Sequence, residues 1–226
     1  MKDLTRLFLT FLAGYCDTAT FVHMKGVFSA HVTGNFIVFA AAMTRGIRPE
    51  DYLKLATFPV FILAVLLGTL VYTQAGRKED RQTDLRGLGR ILLAMACLIW
   101  MGVGLALIRS EPFDILVTIL VVLAMGMQNV LHHFIPGSMT TVMTGTVMNT
   151  VARMTRRVLR KDTSAAVSQG TSTAWLILIF AAGCFIAAFA TLWFGYLSLL
   201  IPALIVSGLW VAEQSGIKSR AGHVET

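Results

Sequence analysis

Asp17 stands inside an apolar run, Gly14-Tyr15-Cys16-Asp17-Thr18-Ala19-Thr20-Phe21, and is the one carboxylate lying well within such a run. A charge at the centre of a bilayer costs about 2.5–3.5 kcal/mol on insertion scales, so a carboxylate there faces a cavity or a partner. In hydrocarbon it can also stay protonated. The chemistry open to it is proton relay, cation ligation or acceptance of a solute's hydrogen bond. The plainer alternative is a structural hydrogen bond to Asn35 or a threonine. His31, which titrates near neutral pH in its free state, precedes Thr33-Gly34-Asn35. A break at Thr33-Gly34 would free backbone groups to bind a solute, and the N-terminus of the half-helix beyond it would favour an anion. A glycine–threonine helix-packing face explains the same residues more simply.

A second set resembles the first. Ser29–Arg45 reads SAHVTGNFIVFAAAMTR and Thr140–Arg156 reads TTVMTGTVMNTVARMTR. A shift of 111 aligns Thr33-Gly34 with Thr144-Gly145 and Met43-Thr44-Arg45 with Met154-Thr155-Arg156. Upstream, with one residue of slack, Gly14-Tyr15-Cys16-Asp17 meets Gly126-Met127-Gln128-Asn129. This pattern points to an internal duplication. Gln128 and Asn129 then hold uncharged the place that Asp17 holds charged, which implies an asymmetric site with one titratable group. The candidate solute- or ion-binding residues are therefore Asp17, His31, Thr33, Gly34, Asn35, Gln128, Asn129, Thr144 and Gly145.

The elements that must position these residues are membrane segments. Of 226 residues 56% are hydrophobic and 14% charged, against about 25% charged in a soluble domain. Apolar segments fall at about 5–24, 28–44, 55–75 and 90–108, then at 114–134, 138–153, 172–190 and 193–212. A charged loop at 76–89 and a basic, Ser/Thr-rich stretch at 153–173 are the longer connections. The fold class expected is an all-α polytopic membrane helix bundle, a single domain over 1–226 with similar halves at about 5–108 and 114–212. Lys2 and Arg6 precede an apolar run, but no small-x-small cleavage site follows, so the segment reads as a retained first helix.

Charge placement bears on topology. If all eight segments cross, at best 13 of the 19 Lys and Arg share the inner side. If the second segment of each half re-enters instead, 14 do, leaving Lys25, Arg45, Arg48, Lys54 and Arg109 outside. Residues 28–43 span only about 24 Å as helix, short for a crossing. The preferred reading is six crossings plus two re-entrant segments, which makes the halves inverted repeats with both termini in the cytoplasm.

Several function classes fall away. The net charge of +7 lies in loops between apolar blocks, with no soluble domain to bind nucleic acid. Cys16, Cys97 and Cys184 are far apart and apolar in context, and adjacent His132 and His133 point to different sides of a helix, so no metal site is expected. No nucleotide loop or nucleophile–base arrangement is present, so neither a cofactor nor an enzyme is expected.

The set Gly14-Tyr15-Cys16-Asp17, Gly26-Val27-Phe28, Thr33-Gly34-Asn35, Gly126-Met127-Gln128-Asn129, Thr140-Thr141 and Thr144-Gly145 resembles the YoaK-like DUF1275 family across nearly the whole chain. The resemblance implies a multi-spanning protein of the bacterial inner membrane and names no substrate. Basic residues often follow the Gln-Asn pair in that family, where this chain has His132 and His133. The expected function is a small secondary transporter or channel for an unknown solute or ion, in the bilayer and with a homo-oligomer open to it. The alternative is a non-transporting scaffold or subunit.

Overall fold

The computed structural model describes residues 2–74, 81–134, 147–148, 151–152, 155 and 166–221. Among them the secondary structure is helical throughout. The long helices are α1 (Lys2–His23), α3 (Tyr52–Thr73), α4 (Arg81–Ala106), α5 (Glu111–Phe134), α6 (Ala166–Phe194) and α7 (Leu200–Ala221), and a short α2 (Val32–Met43) lies between α1 and α3. Single 3-10 turns at Pro49–Asp51 and Gly195–Leu199 lead into α3 and α7.

The crossings fix the directions of the rods. Gly14 of α1 is so close to α6 that a Cβ there would fall 2.4 Å from the Phe180 carbonyl oxygen, and His23 nine residues on meets Gly195 just past α6. These two helices therefore run parallel. On α3 and α5 a Cβ at Gly126 would meet Ala64 Cβ at 2.4 Å, and one at Gly68 would meet Val130 at 3.0 Å, so this pair is parallel as well. Residues 107–110 reverse the chain between α4 and α5, and the turn at Gly195–Leu199 reverses it between α6 and α7. The ends of α1, α4 and α6 and the starts of α3, α5 and α7 thus share one end of the bundle. There His23 meets Asp114 and Lys25 meets Glu50.

That arrangement bears on the path of α2. The chain leaves α1 and enters α3 at the same end, so residues 24–51 make no net crossing. Twelve residues of helix reach only about 18 Å. Asn35 bonds to Thr57, Phe36 stacks near Phe58 and Phe39 near Tyr52, so α2 runs antiparallel to α3 and climbs back to the shared end. It enters and leaves the bundle at one end; the second segment expected to re-enter, 138–153, lies largely outside the described residues. The ends of α5 and α6 flanking residues 135–165 likewise share the opposite end.

Four stretches are long and apolar enough to cross a membrane: Pro49–Thr73, Arg86–Ala106, Glu111–Leu131 and Ala174–Ser215, the last holding α6 and α7. Their burial separates centre from periphery, since 67% of the Glu111–Leu131 window is buried against 22% for Pro49–Thr73 and for Ala174–Ser215. The core is built by α1, α4 and α5 through Leu9, Leu12, Ile91, Met95, Ile99, Val121 and Met125. Leu66, Leu70, Leu178, Phe185, Phe189 and Leu192 face outwards, an apolar surface suited to lipid.

Expected boundaries shift in four elements, among them the last helix, which runs from Leu200 to Ala221 where a segment at about 193–212 was expected. Residues 28–31 are not helical, because their amides bond elsewhere. Helix α4 already begins at Arg81, inside the expected charged loop, and α6 at Ala166, inside the expected Ser/Thr-rich connection. Hydropathy marks the lipid-facing part of a helix and not its polar ends.

Candidate functional site

The site begins with the way α1 stops. Lys25 and Gly26 take positive φ, 50° and 101°, and the Gly26 N–H donates to the Phe21 carbonyl at 2.8 Å. This left-handed close ends the helix and turns the chain back down the bundle. A side chain at Gly26 would be strained by its φ and would meet Val38 at 3.2 Å.

The descending strand of backbone then meets Asp17. Its Oδ1 accepts from the N–H groups of Ser29 at 2.8 Å, Ala30 at 2.5 Å and His31 at 3.3 Å, and from Ser29 Oγ at 3.3 Å. Its Oδ2 bonds to His31 Nδ1. Successive amides pointing at one oxygen form an anion-binding concavity, here at the entrance to α2. The Asp17 side chain is 5% exposed and that of His31 28%, so the imidazole links a buried carboxylate to an accessible surface.

Asn35 ties the same loop from the other side. Its Oδ1 accepts from the Phe28 N–H at 2.7 Å, and its Nδ2 donates to the Phe28 carbonyl and to Thr57 Oγ1, both at 2.8 Å. Thr57 donates to the Lys54 carbonyl at 2.7 Å. Lys54 is itself buried, with Nζ 2.7 Å from Asp51 Oδ1, while Asp51 Oδ2 accepts from the Arg48 N–H at 2.9 Å. Asp17 is therefore not alone as a buried carboxylate: Asp51 and Glu213 are buried too.

The remaining expected residues divide. Thr33 is exposed on α2 and lies outside the Asp17–His31–Asn35 network. Gly34 is inside the first turn of α2, its N–H bonded to the His31 carbonyl at 2.8 Å and its face covered by the Phe28 ring. The helix break thus precedes Thr33-Gly34, and the anion at the half-helix entrance is the chain's own Asp17. Gln128 is buried and donates from Nε2 to the Leu9 carbonyl of α1 at 2.9 Å, while its Oε1 has no hydrogen-bond partner among the described residues. Asn129 donates to the Met125 carbonyl of its own helix at 2.9 Å. Thr140, Thr141, Thr144 and Gly145 lie outside the described residues.

A second cluster went unread in the sequence. His23 Nε2 lies 3.1 Å from Asp114 Oδ2, its ring packs 4.1 Å from the Tyr196 ring, and the Tyr196 hydroxyl bonds to Thr118. The two partners are 91 and 173 residues from His23, and the only signal was a histidine at the end of an apolar run. Among the described residues no group of three or more His, Cys, Asp or Glu is arranged to hold a metal.

Apolar outer faces, a core of packed helices and a buried polar cluster reached by a re-entrant helix define a polytopic helical membrane protein. The chain belongs to the family described as protein of unknown function DUF1275, which matches residues 6–212. It is similar to the UPF0700 transmembrane protein YoaK of Bacillus subtilis (strain 168), 25% identical over 210 residues and 91% of each chain. No solved structure matches.

Proposed function

We propose that the protein is a non-enzymatic secondary transporter or channel of the bacterial inner membrane, moving a small solute with Asp17 and His31 as its proton-linked pair. The observation that carries this reading is the contact between those two side chains at the inner end of a re-entrant helix. Structural hydrogen bonds alone would be served by a neutral side chain. A carboxylate and an imidazole in contact, one buried and one accessible, can instead pass a proton between bundle interior and surface.

Helix directions support a path between two inverted halves. In the duplication α5 corresponds to α1, and the two run in opposite senses. Gly14 packs α1 on α6 and Gly126 packs α5 on α3, so corresponding glycines serve corresponding crossings. Lys25, Arg45, Arg48, Lys54 and Arg109 mark the His23 end, and the other fourteen Lys and Arg flank the opposite helix ends in sequence. By the positive-inside rule the His23 end is then outside and both termini cytoplasmic.

The test is flux in proteoliposomes carrying a pH-sensitive dye inside, with a thermal-shift screen supplying the solutes. A solute gradient should drive proton movement in the wild type and fail to do so in Asp17→Asn. Absence of flux with every stabilising solute, together with one stoichiometric partner on purification, would favour a scaffold.

A further inference from the structure

At the end of the bundle shared by His23 and Asp114 lies a cavity of about 370 Å³, separate from the Asp17 cluster. Pockets that hold small organic ligands begin at about 300 Å³. Its walls are contributed by α1, by the α4–α5 connection and by the α6–α7 turn, and include His23, Arg109, Asp114, Trp193, Phe194 and Tyr196.

The charges decide which ligand fits. Asp114 is already engaged by His23, and the Tyr196 hydroxyl by Thr118. Glu50 and Glu111 line a smaller neighbouring pocket with Lys25, and do not reach this one. Arg109 is left as the one lining charge without an ion-pair or hydrogen-bond partner among the described residues. It is exposed and held at φ 52°, a conformation that L side chains rarely adopt. A guanidinium presents a fixed fork of donors matched to carboxylate and phosphate. Beside it, Trp193 and Phe194 are largely exposed aromatic surface.

We infer that this cavity binds an amphiphilic oxyanion: a carboxylate or phosphate on Arg109, with an apolar body against Trp193 and Phe194. The inference is independent of the transport reading, because it concerns binding alone. Two sources share this chemistry, a free arylalkanoate and the headgroup of an anionic lipid.

The experiment measures thermal stability of the purified, detergent-solubilised protein with 3-phenylpropionate, its neutral amide, acetate and dihexanoyl phosphatidylglycerol. A free solute is indicated if 3-phenylpropionate stabilises and its amide and acetate do not; a lipid is indicated if only the phosphatidylglycerol does. In either case Arg109→Gln should weaken the apparent affinity about tenfold or more, as loss of a charge-assisted pair does. Trp193→Ala should narrow the advantage of 3-phenylpropionate over acetate. Both variants should melt with the wild type when unliganded, since both residues are exposed. No stabilisation by either anion, or stabilisation that Arg109→Gln leaves unchanged, overturns the inference.

Discussion

His31 Nδ1 is hydrogen-bonded to Asp17 Oδ2 across fourteen residues of chain, and that contact joins the last third of α1 to the residue that precedes α2. The same carboxylate collects three backbone amides, so it both shapes the loop and contacts that imidazole. The two roles separate by substitution. An asparagine keeps an oxygen for the amides and turns an N–H towards His31, which can accept it in its other neutral tautomer. Asp17→Asn should therefore retain the fold and lose the proton-linked chemistry. Asp17→Ala leaves buried donors unpaired and should cost about 3 kcal/mol or more. Unfolding in detergent ranks the two variants, and equal stability would remove Asp17 from its structural role.

Asn35 is predicted to be as demanding. Both of its N–H donors and its oxygen are engaged, by the Phe28 carbonyl, Thr57 and the Phe28 N–H. Asn35→Asp replaces the two donated bonds by a carboxylate set against the Phe28 carbonyl, so it should destabilise at least as much as Asn35→Ala, by about 2–3 kcal/mol. Thermal unfolding of the pair checks the order, and a neutral Asn35→Asp would contradict this geometry.

Gln128 should behave in the opposite way. Its Oε1 is buried without a partner among the described residues, and its Nε2 bonds to a carbonyl inside α1. Gln128→Leu removes the orphaned acceptor and fills the space with apolar volume. The expected change in stability is within about 1 kcal/mol of zero. If the melting temperature falls as far as in Asp17→Ala, an unseen donor must satisfy Oε1.

Topology can be read from three single cysteines placed in a background lacking Cys16, Cys97 and Cys184. Lys25 and Arg48 flank α2, and both reach Glu50, at 3.5 and 3.7 Å. Cysteines at 25 and 48 should therefore react together with an impermeant maleimide added to intact cells, and one at 86 should not. Were α2 a crossing, positions 25 and 48 would label from opposite faces.

Much of this architecture is legible in the residues, and the exceptions share a cause. The apolar runs locate α1, α3 and α5 to within a few residues, because burial and lipid contact act on composition directly, whereas α7 runs from Leu200 to Ala221, seven and nine residues beyond the expected bounds. Phe28–His31 look helical by composition, but Asn35 takes the Phe28 amide and Asp17 those of Ser29, Ala30 and His31, tertiary bonds that local propensity does not encode. Asp17, His31 and Asn35 are recognisable because polar groups inside apolar runs are costly and must be satisfied. Thr33 is of the same type and is exposed, since its facing depends on where α2 begins. The His23–Asp114–Tyr196 cluster joins three distant segments, and nothing local announces it.

The glycines of the two helix crossings make the sharpest stability test. A methyl on Gly14 would fall 2.4 Å from the Phe180 carbonyl oxygen, one on Gly183 2.3 Å from the Phe11 carbonyl oxygen, and one on Gly126 2.4 Å from Ala64 Cβ. Backbone atoms cannot step aside as side-chain tips do, so at Gly14 and Gly183 the helices themselves must separate. Each Gly→Ala change there should destabilise by about 1–3 kcal/mol through overpacking. Gly104 and Gly208 have nothing within 4 Å of the corresponding position, and alanine there only improves helix propensity. Gly104→Ala and Gly208→Ala should thus be neutral or stabilising by up to about 1 kcal/mol. If the crossings also serve as the pivots of a transport cycle, Gly14→Ala and Gly126→Ala should slow flux beyond what their loss of folded protein explains. Flux normalised to folded protein separates that effect from simple unfolding.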